Sequence, residues 1–113
     1  MRSERLYLAD IGDAIKSIGR WMDGCDETRF CQDEILQCAV LPKLSVIGEA
    51  AARLSPETWS QAPQVPWQEI IGFRNVAVHA YFSVDWKVVF ITATDDLSSL
   101  QEAVTILLNE PMR

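Results

Sequence analysis

Apolar residues recur at helical intervals along most of the chain. From about Ser3 to Met22 the positions Leu8, Ile11, Ile15, Ile18 and Met22 fall three and four apart, with Tyr7, Ala14 and Trp21 widening the stripe, which predicts a helix with a broad buried face. Ser3 is placed to cap it, and Asp23-Gly24 reads as its stop. A second stripe, Leu36, Val40, Leu44, Ile47, Ala51 and Leu54, predicts one long helix from about Thr28 to Leu54. Pro42 falls inside it, removing a hydrogen bond and crowding the preceding turn, so a kink is expected there. Gly48 and Ala50 to Ala52 allow a neighbouring helix to come close.

Ser55-Pro56-Glu57 opens a short helical turn, and the prolines at 63 and 66 mark a connector. A third helix should start at Pro66 or Trp67 and run to about Ala80. The last stripe, Trp86, Val89, Phe90, Ala93, Leu97, Leu100, Val104 and Leu107, predicts a helix from Asp85, its cap, to Leu108, with Asp95-Asp96 bending or restarting it. These elements and their short connectors predict an all-α fold, an antiparallel up-and-down bundle of four to five helices forming a single domain over residues 1–113.

Charge and cysteines narrow the chemistry. A formal net charge of −6 argues against a broad basic surface for nucleic acid, while leaving room for a small anion site or a basic partner. No apolar run approaches the ~20 residues of a membrane span, so no membrane is expected. The first residues resemble neither a signal nor a transit peptide, which makes a cytoplasmic location the simplest expectation. Cys25, Cys31 and Cys38 are odd in number and lack CxxC spacing, so they read as reduced structural thiols, with Cys38 buried. No metal is expected, because the cysteines lack ligand spacing and the chain has one histidine, and no cofactor, because Walker and dinucleotide glycine patterns are absent.

That histidine lies in the stretch Phe73-Arg-Asn-Val-Ala-Val-His-Ala-Tyr-Phe82, where Arg74, Asn75, His79 and Tyr81 stand out against small and apolar neighbours. On a helix Asn75 and His79 lie about 40° apart, Arg74 and Tyr81 about 20°, and Arg74 and His79 about 140°. One straight helix does not easily aim Arg74 and His79 at the same atom, so a homodimer that pairs two copies of it is attractive. The chemistry these groups suit is cleavage of RNA by its own 2′-hydroxyl. A histidine moves the proton, an arginine clamps the phosphate, and no metal is required. Two copies would supply both a base and an acid.

The segment from Trp67 to Phe82 is similar to the signature of the HepT-like branch of the HEPN superfamily, in which Arg-Asn-x3-His-x-Tyr follows a tryptophan and a glycine. Leu44-Ser-Val-Ile-Gly-Glu-Ala50 is similar to that branch's second-helix motif. The resemblance spans nearly the whole chain. It implies a HEPN-like, dimeric, metal-independent endoribonuclease toxin of a type VII-like toxin-antitoxin pair. Arg74 and His79 would be catalytic, with Asn75 supporting them. An MntA-type minimal nucleotidyltransferase would be the antitoxin and could adenylylate Tyr81. One departure is Pro42, followed by Lys43, where relatives often place a basic residue before the second-helix motif. The competing reading is a non-catalytic helical module that docks a nucleotidyltransferase through the same residues.

Overall fold

The computed structural model describes residues 3–79 and 84–109, the side chains of 76–79 excepted. Helices α1 (Glu4–Met22), α2 (Glu27–Gln32), α3 (Glu34–Ala52), α4 (Pro56–Ser60), α5 (Trp67–His79), α6 (Trp86–Ile91) and α7 (Leu97–Asn109) follow in order, with a π-helical turn at Thr92–Asp96 joining the last two. Among the described residues there is no strand, and the all-α architecture expected from the sequence is what forms.

Side chains from all four longer helices meet in one core. Ile11, Phe30, Val40, Ile47, Ala51, Ile70 and Leu100 are completely shielded from solvent there. Helix α1 packs on α3 and α7, and α5 packs on α3. Long-range bonds fix the directions. Glu4, opening α1, accepts hydrogen bonds from the Ser55 N–H and the Thr58 hydroxyl just beyond the end of α3. Arg5 Nη2 donates to the Leu108 carbonyl near the end of α7, at 2.6 Å. Helix α1 is therefore antiparallel to both. Burial pushes the Glu4 carboxyl up, but the bonds from Ser55 and Thr58 together outweigh it and hold the group below its ordinary range.

Several sequence expectations are corrected. Ser3 precedes α1 in extended conformation, but its hydroxyl makes no capping bond. The stop at Asp23-Gly24 forms, with Gly24 at φ 70, a left-handed conformation that glycine adopts at no steric cost. The single helix expected over Thr28–Leu54 is two. Asp33 leaves helical conformation and caps α3 by accepting from the Leu36 N–H at 3.0 Å. The buried Gln37 amide donates to the Phe30 carbonyl at the break, at 2.8 Å, beside the longer bond from the Asp33 N–H at 3.3 Å. What turns α2 aside is Phe30, whose ring packs edge-on against Trp86 of α6 and tilted against Phe90.

Helix α3 then runs through Pro42 to Ala52. Pro42 and Cys38 are both exposed, so the turn with the missing bond lies on the solvent side. Cys38, expected inside, is outside because Leu36, Val40 and Leu41 fill the core side of the helix. With a mean hydropathy of 1.4, α3 is by length and composition able to cross a membrane, contrary to the reading of the bare sequence. Its place between α1 and α5 explains that apolarity.

The helix expected over Asp85–Leu108 is likewise divided. Asp85 caps it as expected, accepting from the Lys87 and Val88 N–H groups. At Thr92–Asp96 the chain widens into the π turn, where the Thr94 hydroxyl bonds back to the Phe90 carbonyl at 2.9 Å. Burial first, then Glu69 of α5 and Asp95, hold the Asp96 carboxyl above its ordinary range.

Candidate active site

Helix α5 is seated by two tryptophans. The Trp67 indole N–H is shared by the carbonyls of Ala62 and Trp59, at 3.0 and 3.2 Å, and the Trp59 indole donates to the Ala51 carbonyl at 3.1 Å. These bonds tie the connector and both its flanking helices together, and pin the start of α5 beside the end of α3. Trp67, Ile70 and Phe73 then face the core at three-residue spacing, which turns Arg74 and Asn75 outward.

Gly48 brings α3 against α5 at this point. A Cβ there would stand 2.6 Å from the Arg74 nitrogen and 3.0 Å from the carbonyl oxygens of Ile70 and Ile71. The close approach expected of Gly48 is thus made to the backbone of Arg74 itself. The next residue, Glu49, projects outward at the same level, and its Oε2 lies 3.8 Å from Arg74 Nη1. Its Oε1 accepts from both Nε and Nη2 of Arg53, at 3.2 and 3.1 Å. One carboxylate therefore lies between two guanidiniums. The three side chains are 50%, 45% and 60% exposed for Glu49, Arg74 and Arg53, and ion pairs so open to water contribute at most ~1 kcal/mol. Their effect is to orient, and to leave both arginines presented to solvent.

Of the residues singled out in the sequence, Arg74 and Asn75 lie side by side on the exposed surface of α5. His79 belongs to the helical backbone of α5, about 7.5 Å further along the axis. Its side chain and all of Tyr81 lie outside the described residues. Glu49 and Arg53 were missed. Their signal was present in the sequence, a glutamate and an arginine four apart directly after the glycine of the second-helix motif. Among the described residues no group of three or more His, Cys, Asp and Glu side chains is placed to hold a metal ion. A groove of about 630 Å³ between the end of α1 and the start of α7 is lined by none of these residues.

The comparisons with known proteins point one way. The family described as ribonuclease HepT-like matches residues 11–107. A protein of Thermococcus cleftensis described as a probable ribonuclease HepT is 37% identical over 88% of this chain and 91% of its own length. One from Methanocaldococcus jannaschii described as a candidate RNase is 26% identical, over 94% of this chain and 97% of its own. Another described as a candidate RNase, from Caldanaerobacter subterraneus, is 29% identical over 97% and 98%. No solved structure matches the chain with significance.

Proposed function

Since the chain belongs to the ribonuclease HepT-like family, we propose that it is a metal-independent endoribonuclease whose reaction is carried by Arg74 and His79. The observation that carries this reading is the placement of Arg74. Its backbone is locked against Gly48, its side chain is oriented by Glu49, and its guanidinium is open to solvent where a phosphate can reach it. His79 takes the 2′-hydroxyl proton, the oxygen attacks the adjacent phosphorus, and Arg74 stabilises the crowded phosphate as the 5′-oxygen departs. Asn75, exposed beside Arg74, supports substrate positioning.

The second proton transfer, to the leaving oxygen, is supplied by His79 of a second copy in a homodimer. Support for pairing comes from α3, where Ile35, Cys38, Pro42 and Val46 form an exposed, mainly apolar stripe at three- and four-residue spacing that continues into Glu49 and Arg53. The protein acts in the cytoplasm as the toxin of a toxin-antitoxin pair, and its antitoxin is a minimal nucleotidyltransferase of the MntA type. Transfer of a nucleotide monophosphate to Tyr81, which helical spacing of the sequence alone aligns with Arg74, would add charge and bulk that compete for the Arg74 guanidinium.

The test is cleavage of single-stranded RNA by the wild type, Arg74→Ala and His79→Ala, with helicity followed by circular dichroism. Wild-type cleavage should persist in chelator and leave cyclic phosphate ends, and each variant should lose it while staying folded. Cleavage that needs added magnesium, or that survives loss of His79, overturns the mechanism. A folded wild type that binds the nucleotidyltransferase and cleaves nothing would instead be a docking module. Val46→Glu should dissociate the dimer in light scattering.

A further inference from the structure

A ribonuclease works on a polymer, so the phosphates flanking the scissile one also pass over its surface and need countercharge. In a chain of net charge −6 that countercharge has to be local. Arg53 is placed to give it. The residue closes α3, where its own N–H bonds back to the Ala50 and Ala51 carbonyls, so its backbone is fixed while its side chain is 60% exposed. Both bonds it makes through Nε and Nη2 go to Oε1 of the carboxylate whose Oε2 faces Arg74. Two guanidiniums around one carboxylate leave a net positive patch.

An ordinary i,i+4 pair open to water steadies a helix only slightly, so exchanging Glu49 for a phosphate oxygen costs Arg53 little. A fork-shaped cation held by a bond so easily given up is preorganised for phosphate. We propose that Arg53 is a second phosphate-binding residue of this site, contacting the RNA phosphate next to the one held by Arg74. The inference rests on the ribonuclease reading and extends it from one phosphate to two.

The test uses the full chain with His79→Ala, which keeps the RNA intact, and a fluorescent single-stranded RNA of mixed sequence. Affinity is measured as salt is raised. Adding Arg53→Gln should weaken binding several-fold, independently of sequence, and lower the slope of log affinity against log salt by about 0.7, as expected for one lost phosphate contact on a single strand. Arg53→Lys should keep most of the slope, because the charge remains. Arg29→Gln should leave the slope unchanged, since Arg29 lies on α2, beyond the opposite end of α3 from Arg53. An Arg53→Gln slope equal to that of its parent, or a drop matched by Arg29→Gln, overturns the proposal while the ribonuclease reading stands. A parent protein with no affinity for RNA at low salt overturns both.

Discussion

Replacing Gly48 by alanine should destabilise the protein even though alanine is the better helix former. A glycine-to-alanine change inside a helix gains about 1 kcal/mol from propensity alone. At Gly48 the new methyl group would meet the Arg74 nitrogen at 2.6 Å and two carbonyl oxygens at 3.0 Å, all of them backbone that cannot swing aside. Relief requires α3 and α5 to part by about 1 Å, a gap that forfeits a quarter to a half of the dispersion energy of contacts along the seam. Overpacking of this kind typically costs 1–3 kcal/mol, and rigid neighbours place this case at or beyond the upper end, for a net loss of about 2 kcal/mol. For a domain of this size that is a melting temperature lower by roughly 8–10 °C.

Gly19 supplies the control. It is exposed within α1, a Cβ added there would meet nothing within 4 Å, and the same substitution should raise the melting temperature by about 4 °C. Thermal melts by circular dichroism at matched protein concentration compare the two. RNA cleavage at a temperature where both variants are folded provides the second readout. Gly48→Ala should lose activity beyond its loss of folded protein, because Arg74 moves with α5 while Glu49 does not. A Gly48→Ala protein that melts at or above the wild type would show that the two helices are not in the close contact described.

Glu49→Gln should lower RNA cleavage about tenfold with a melting temperature within a few degrees of wild type, since the exposed pair steers Arg74 more than it stabilises the fold; unchanged cleavage would remove Glu49 from the site. Trp67→Phe removes the indole donor shared by the Ala62 and Trp59 carbonyls, each of which keeps a backbone N–H partner, and should cost about 0.5–1.5 kcal/mol, read from denaturant unfolding. Asp96 has a folded-state pKa above its unfolded value, so the folded protein binds the proton more tightly and stability falls as pH rises through the window between the two. Asp96→Asn should therefore raise the melting temperature at neutral pH and lose that advantage in acid; a gain that grows on acidification would reverse the assignment.

The stripes that marked three of the four long helices were legible because burial on one side imposes a 3.6-residue period, and Leu8, Ile47 and Leu100 obey it, while α5 was read from the prolines that precede it. The break at Asp33 was hidden because residues 28–36 hold no proline or glycine to mark a stop. Only the tertiary pull of Phe30 toward Trp86 shows why α2 turns away. The π turn was hinted at by Asp95-Asp96, yet it carries a bond from the Thr94 hydroxyl to the Phe90 carbonyl that periodicity does not encode. Cys38 was misplaced because α3 is apolar nearly all round, and an apolar residue then carries little information about which side it faces. At the site, Arg74 was legible as a polar head on an apolar helix. Glu49 was legible as a partner for Arg53, but its contact with Arg74 was not, because that contact spans two helices and depends on an absent side chain at Gly48.

The bonds from Glu4 to Ser55 and Thr58, and from Arg5 to Leu108, have an architectural consequence. They gather the start of α1 and the end of α7 at the pole of the bundle where α3 finishes and Arg53 stands. Anything tethered at either extremity, whether a purification tag, a fused domain or a docked protein, begins its path at that pole. A short tether would keep such a module within reach of the two arginines, and a long one would let it swing clear, so linker length alone would set how strongly an appended module obstructs them.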